Sequence, residues 1–293
     1  MQRSFTPLRY PGGKAKIYPL VSSLIHLNTP ERCTYIEPFA GGAGLALKLL
    51  FENDVNGIVI NDYDYAIYSI WNNVINHSDH CCDFILNVPL TISEWNRQRE
   101  IYKNQEHHTG FEVGNAALYL NRTNVSGVLK GGVIGGLAQE GSYKIDARFN
   151  RTSLVEIIKR IASRKNDIEI FNWNAVDFIN KIIPNYSNTF VYYDPPYVKK
   201  GHCLYKNAFK ESDHRQLCET IISSTNKWIV TYDDCDFIRN LYKDYSFEII
   251  NVNYSVGKTK NGAELIVYGP SISLASGLQA NQASDIFDGE ILI

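Results

Sequence analysis

The 293-residue sequence predicts an α/β fold, an open sheet wrapped by helices, with a mainly helical lobe inserted into it. Three observations carry this expectation. Short β-branched and aromatic runs alternate with helical stretches through most of the chain. A Gly-rich turn follows the first such run and an acidic residue closes the second about 20 positions later, the spacing at which a doubly wound sheet holds a ribose. Residues 69–151 break the rhythm, with Trp71, Trp95, His107-His108 and a turn-rich stretch from Ser126 to Gly136.

Taken in order, Thr34 opens a short strand that ends in the turn Phe39-Ala40-Gly41-Gly42-Ala43-Gly44, followed by an amphipathic helix from Leu45 to Phe51. Gly57 to Asp62 reads as the second strand, its acidic end placed to meet a nucleoside. Beyond the lobe, strands are expected at Ile168–Phe171, Thr189–Tyr193, Trp228–Tyr232, Phe247–Val252 and Glu264–Tyr268, with helices at Leu154–Ser163 and Asp213–Ser224 between them. The expected organisation is a discontinuous main domain (1–68 and 152–270), an inserted domain (69–151) and a tail (271–293) rich in Ser, Ala, Gln and Asp, to which no chemistry is assigned.

A composition of 44% hydrophobic and 20% charged residues is that of a folded globular protein. No apolar stretch approaches the roughly 20 residues that span a bilayer, and Met1 to Phe5 lacks the apolar centre of a signal peptide. The expected location is therefore the cytoplasm, without a membrane partner. Cys33, Cys81, Cys82, Cys203, Cys218 and Cys235 show neither Cys-x-x-Cys pairs nor nearby His at ligand spacing, which predicts buried free thiols and no metal site. The net charge of −2 argues against a polyanionic partner, but the distribution of charge points the other way: Asn115 to Lys165 holds nine basic residues against Glu140, Asp146 and Glu156, a local +6 that leaves −8 elsewhere.

Asp194-Pro195-Pro196-Tyr197 follows the expected strand Thr189–Tyr193 directly, at a carboxyl end where open α/β sheets bind ligands. Two prolines stiffen the backbone and remove two amide donors, leaving carbonyl oxygens, a carboxylate and an aromatic ring. Such a pocket accepts hydrogen bonds and stacks a flat ring, as methylation of a nucleobase amine requires. Hydrogen bonds from the amine to Asp194 and the Pro195 carbonyl would favour a pyramidal nitrogen and free its lone pair, so that positioning and electrostatics supply most of the catalysis. A base paired inside a duplex must first be flipped out, at a cost of about a few kcal/mol that stacking on Tyr197 offsets.

The chain resembles the DNA adenine methyltransferases of the Dam and DpnII-like group over most of residues 7 to 268. Four blocks carry the resemblance: Leu8-Arg9-Tyr10-Pro11-Gly12-Gly13-Lys14, Glu37-Pro38-Phe39-Ala40-Gly41-Gly42-Ala43-Gly44, Ile60-Asn61-Asp62 and Asp194-Pro195-Pro196-Tyr197. It implies a Rossmann-like S-adenosylmethionine-dependent methyltransferase sheet. It further implies that Tyr10, Lys14, Glu37, Phe39, Gly41, Gly42, Asp62 and Asp194 contact the cofactor, and that Asp177-Phe178 borders its adenine. Asp194, Pro195, Pro196 and Tyr197 form the implied catalytic loop. Segments Leu120–Gly127 and Tyr143–Asn150 look like the family's target-recognition region, where Arg122, Asn124, Lys130, Lys144, Arg148 and Arg151 are the expected contacts to double-stranded DNA. The stretch Lys130 to Gly136 departs from the Dam pattern, so the Dam target does not carry over.

The implied activity is transfer of a methyl group to the N6 amine of adenine at a short specific site, in restriction-modification beside a cognate endonuclease or in phage or host DNA modification. Competing readings are cytosine N4 methylation, glutamine methylation on a protein and a catalytically silent DNA-recognition protein. Serine more often opens the loop in the first, and asparagine in the second. The intact Asp194 and Tyr197 argue against the third.

Overall fold

The computed structural model describes residues 5–10, 14–198, 209–254 and 260–274. Their framework is a seven-stranded sheet in the order β3-β2-β1-β4-β5-β7-β6. The strands are β1 (Thr34–Glu37), β2 (Gly57–Asn61), β3 (Ile168–Phe171), β4 (Thr189–Tyr193), β5 (Lys227–Asp233), β6 (Phe247–Tyr254) and β7 (Lys260–Tyr268). The first five run parallel, and β7 lies antiparallel between β5 and β6. Helices are α1 (Tyr18–Asn28), α2 (Gly44–Phe51), α3 (Tyr65–Asn76), α4 (Ser78–Asn87), α5 (Ile92–Lys103), α6 (Gly110–Thr123), α7 (Arg151–Ala162), α8 (Ala175–Lys181), α9 (Glu211–Ile222) and α10 (Asp236–Leu241). No helix among the described residues is long and apolar enough to cross a membrane.

Strand patterning explains the two layers of core. Side chains of a strand alternate between faces, and in β4 Phe190 and Tyr192 join the cluster under α1, α2 and α3, while Val191 and Tyr193 join that under α8, α9 and α10. Every residue of β4 is buried, which is why it reads as an unbroken apolar and aromatic run. Cys33, Cys81, Cys82 and Cys218 are buried free thiols as expected, and Cys235 is half-buried; Cys203 and the tail beyond Leu274 lie outside the described residues.

The expected separation of the lobe is corrected. A boundary at 68/69 would cut α3, a continuous helix with Asp64 as its N-cap, the carboxylate accepting from the Ala66 amide at 3.0 Å. One face of α3 meets the sheet cluster through Ile67, Ile70 and Trp71, and another meets α6 closely. A methyl group on Gly114 of α6 would collide with the Ser69 carbonyl oxygen. Lobe and sheet thus share one apolar cluster, with Trp95, Val113 and Leu118 in it beside Tyr35 and Ile60. At the far end α7 begins at Arg151 with Asn150 as its N-cap, one residue before the expected boundary between 151 and 152.

The sheet order also sets the place of the site. From β1 the chain steps outward through β2 to β3 on one side, then resumes at β4 and β5 on the other. The carboxyl ends of β1 and β4 therefore flank a topological switch point, where connections diverge and leave a crevice.

Candidate active site

The Gly-rich turn leaves the end of β1 at this crevice. Gly41 has φ 46 and Ala43 φ 44, so the chain reverses through two left-handed residues before α2 begins. Three contacts hold the turn: the Ala40 amide donates to the Asn61 carbonyl at 2.9 Å, the Gly41 amide to Asp62 Oδ2 at 2.9 Å, and Trp71 Nε1 to the Gly41 carbonyl at 2.9 Å. Tyr10 lies across it. A Cβ on Gly41 would stand 2.6 Å from the Tyr10 ring and one on Gly42 2.8 Å from Tyr10 Cβ, so the first and second blocks fit together only with glycine at both positions. Phe39 is half-buried and meets Phe209 edge-on at 6.1 Å.

Asp62, just past β2, also accepts from the Asp64 amide through Oδ1 at 2.9 Å. Burial pushes its carboxyl up to about 7. Glu37, at the end of β1 and only 5% exposed, accepts from the Tyr35 hydroxyl at 2.9 Å. Its carboxyl is pushed up to about 8 by burial, with the charge of Asp194 adding to the effect against the Tyr35 hydrogen bond.

Asp194 sits across the crevice from that strand end. Thr231 Oγ1 donates to its Oδ1 at 3.0 Å, and Lys14 Nζ is ion-paired to the same oxygen at 3.1 Å. Burial raises the Asp194 carboxyl above its ordinary value, with Lys14 opposing. Lys14 is itself 9% exposed and reaches Glu264 Oε1 at 3.2 Å. Burial alone would lower the ammonium, but the Asp194 and Glu264 carboxylates together outweigh it and hold it above its ordinary value. Tyr197 completes the group: its hydroxyl accepts from Lys14 Nζ at 2.5 Å and donates to Glu264 Oε1 at 2.6 Å. Pro195 is buried, Pro196 half-buried, and the loop is tied to β5 by the Val198 amide donating to Asp233 Oδ1 at 2.9 Å.

Of the expected cofactor residues, the structure gathers Tyr10, Lys14, Glu37, Phe39, Gly41, Gly42, Asp62 and Asp194 around the carboxyl ends of β1, β2 and β4. The Asp177-Phe178 pair stands differently. Phe178 is wholly buried, 5.5 Å from the Phe171 ring, so its side chain serves the core and presents no face to a ligand. Asp177 is partly exposed in the first turn of α8, bonded to Asn174 and ion-paired with Lys181 at 2.5 Å. Glu264 carries no motif in the sequence beyond opening an expected strand; its place in the group is visible in the structure alone.

The basic segment divides in the same way. Lys130, Lys144 and Arg148 are exposed; the Lys144 ammonium donates to the Gln139 carbonyl at 2.6 Å and the Arg148 guanidinium lies over the Tyr143 ring at 5.9 Å. Asn124 is a correction. It is wholly buried, accepts from Trp95 Nε1 at 2.7 Å and donates to the Val128 and Leu129 carbonyls at 2.9 and 3.0 Å, so its side chain cannot reach DNA. Arg151 is a second. Its guanidinium donates to the Ile85 carbonyl and, at 2.7 Å, to that of Val88, closing the end of α4. Arg122 is half-buried, donates to the Pro7 carbonyl at 3.3 Å and is pushed down to about 10 by burial, with Arg9 and Arg148 adding to this. Arg9, which the sequence places only in the first block, also belongs to this basic face. Asn121 takes its backbone amide and carbonyl in paired bonds of 2.8 and 2.9 Å, seating the first block against α6.

Comparison with known proteins adds the chemistry. The chain is 26% identical over 225 residues to the type II methyltransferase M.CviBI of Paramecium bursaria Chlorella virus NC1A, a match that covers 74% of this chain and 79% of that one. It is 26% identical over 210 residues to the type II methyltransferase M.MjaIII of Methanocaldococcus jannaschii, covering 65% and 68%. Among solved structures, one described as a class I S-adenosylmethionine-dependent methyltransferase from Listeria monocytogenes aligns over 90% of this chain with TM-score 0.37 and 9% identity. A second, a SAM-dependent methyltransferase from Agrobacterium tumefaciens, aligns over 87% with TM-score 0.40 and 9% identity. The present chain spans 62% of the length of each of these two. The model of the D12 class N6 adenine-specific DNA methyltransferases matches residues 10–257, from Tyr10 beside the Gly-rich turn to beyond the Asp194–Tyr197 loop but short of Glu264, and the chain belongs to that family of DNA methyltransferases.

Proposed function

We propose that the chain transfers a methyl group from S-adenosylmethionine to the N6 amine of adenine, at a specific site in double-stranded DNA and on a base turned out of the duplex. The observation that carries this reading is the partly exposed Asp194 carboxylate at the end of β4, next to the Gly-rich turn of β1 and with Tyr197 in the same loop. The residues present fit the cofactor. Asp62 retains lone pairs for ribose hydroxyls, the glycine turn brings bare backbone under Tyr10, and Asp194 offers a carboxylate to the ammonium of a methionine. When bound, S-adenosylmethionine supplies an electrophilic sulfonium methyl.

The chain's own part is orientation and charge. Asp194 and the Pro195 carbonyl accept from the two amine hydrogens, which localises the lone pair on nitrogen. That lone pair forms the new N–C bond, the sulfur keeps the electrons of the bond it loses, and the nitrogen then sheds a proton to water. The Asp194 carboxylate, in a low-dielectric crevice, stabilises the positive charge on nitrogen at that moment. Lys130, Lys144, Arg148 and, beside them, Arg9 and Arg122 make the basic face of the recognition lobe, where phosphate contacts set the register. The type II relatives support, as part of this proposal, a role in restriction-modification with a cognate endonuclease as functional partner and with action in the cytoplasm.

The test is incubation with DNA and methyl-labelled S-adenosylmethionine, then digestion to nucleosides. Label in N6-methyladenine is expected. Label in N4-methylcytosine, or no label in any nucleoside, would overturn the adenine reading.

A further inference from the structure

Lys14 creates a difficulty for Asp194. A lone lysine ion-paired to the catalytic carboxylate would cancel the charge that the amine needs, since an ammonium and a carboxylate 3.1 Å apart form a neutral pair. The structure removes this difficulty with a second carboxylate. Glu264 Oε1 stands 3.2 Å from the same ammonium and 2.6 Å from the Tyr197 hydroxyl. Both of its partners come from other blocks of the chain, 250 and 67 residues away. It arrives there because β7 runs antiparallel to β5, with Glu264 opposite Asp233, so its leading half lies at the carboxyl ends of the parallel strands.

We propose that Glu264 is a positioning residue for methyl transfer: by sharing Lys14 with Asp194 and anchoring Tyr197, it leaves the group with one net negative charge for the target amine. Lys14 contributes +1, Asp194 and Glu264 −1 each, and Tyr197 is neutral. As the amine approaches Asp194, the ammonium keeps Glu264 as its counter-ion instead of being left with the neutral Tyr197 hydroxyl alone, so the exchange does not strand a buried cation. This assignment rests on the adenine reading above and deepens it by naming what tunes Asp194. The other titratable groups that face Asp194 among the described residues are Glu37 on β1, Tyr35 on β1, Tyr192 on β4 and Tyr232 on β5.

The variant Glu264→Gln keeps the shape and removes the charge. It is expected to lower kcat by roughly 10- to 100-fold with KM for DNA within about threefold, because the lost charge acts on the developing cation and not on ground-state binding. The acidic limb of the kcat profile should move to lower pH by about one unit, since Asp194 loses a like-charged neighbour and gains the whole of Lys14. Glu264→Asp, which keeps the charge, should restore the limb to its wild-type position. A limb that does not move, with or without a fall in kcat, would reduce Glu264 to a structural residue and overturn the proposal.

A second measurement needs neither substrate nor cofactor. The Asp194 carboxyl carbon, assigned by its loss in Asp194→Asn, should titrate at lower pH in Glu264→Gln than in the wild type. If Glu264→Gln does not fold, Lys14→Met tests the same coupling in the opposite sense, and the Asp194 titration should move up. An unmoved titration in the folded variant sinks this proposal alone, whereas label in cytosine from the wild-type enzyme sinks the adenine reading and leaves the titration result standing.

Discussion

The Asp194 edge of the sheet and the basic segment of the lobe are both rich in charge, yet they hold it in opposite ways. Around Asp194, three charges and a hydroxyl are interlocked, with Lys14, Tyr197 and Glu264 each less than a tenth exposed. In the segment from Val128 to Arg148 the cations Lys130, Lys144 and Arg148 are exposed, and two neutral side chains, Asn124 and Gln139, organise the backbone. Gln139 donates to the Ile134 and Gly136 carbonyls at 2.8 and 2.6 Å and accepts from the Ile145 amide at 2.8 Å. The difference suits the roles proposed for the two regions. Stabilising a charge that exists only during reaction needs fixed groups in a low dielectric, whereas meeting a polyanion needs exposed cations whose partners arrive with the ligand.

The sharpest way to break the contrast is at Asp194. Asp194→Ala should lower single-turnover methyl transfer by roughly 10³-fold or more while the circular dichroism spectrum is retained, because the residue accepts one side-chain bond and one ion pair and contributes no apolar packing. Near-normal transfer would remove it from the chemistry. Asn124→Ala probes the segment's hidden part. It leaves the Trp95 indole and the Leu129 carbonyl without the Asn124 side chain and removes one of the two bonds to the Val128 carbonyl, which keeps the Gly131 amide, so chemical denaturation should show a loss of about 2 kcal/mol, and a stability equal to wild type would restore Asn124 as a candidate DNA contact.

Glu37 sharpens the electrostatic side. Its folded-state carboxyl lies at about 8 against an ordinary 4.5, so the folded protein holds a proton that the unfolded chain releases between those values. The stabilisation is complete below about 4.5 and is lost as pH rises through about 8. Glu37→Gln, which cannot ionise, should flatten this decline and be more stable than wild type by on the order of 1–2 kcal/mol at pH 9, read by denaturation midpoints across pH. The smallest effect belongs to the exposed end. Lys144→Ala should weaken binding to specific and nonspecific DNA alike by a few-fold and reduce the salt slope by about 1, with no change in stability. A change confined to one sequence would make Lys144 a base reader instead of a phosphate contact.

Much of the sheet is legible in the sequence because its strands are short apolar runs bounded by turn residues. Ile168–Phe171 and Thr189–Tyr193 agree with the structure to the residue. By contrast β7 begins at Lys260, four residues earlier than its apolar pattern, because pairing with β6 extends it through polar positions that carry no strand signal. The lobe boundary escapes the sequence for a related reason. Helix α3 presents apolar residues to both the sheet and α6, and a sequence pattern shows that a face is buried but not against which neighbour. Asn124 and Arg151 resemble DNA contacts in the sequence because polar residues in a basic, turn-rich segment look available; each instead satisfies carbonyls that the chain itself exposes.

Local sequence, by itself, determined which segments are strands, where the Gly-rich turn and the Asp-Pro-Pro-Tyr loop fall, and where positive charge gathers, because backbone sterics and side-chain periodicity act over a few residues. The sharing of Lys14 between Asp194 and Glu264 was decided only by the tertiary structure. Those three residues lie far apart in the chain, and no local preference distinguishes Glu264 from any other strand glutamate. The antiparallel course of β7 beside β5 turns it from a strand residue into a second counter-charge for Lys14, beside Asp194.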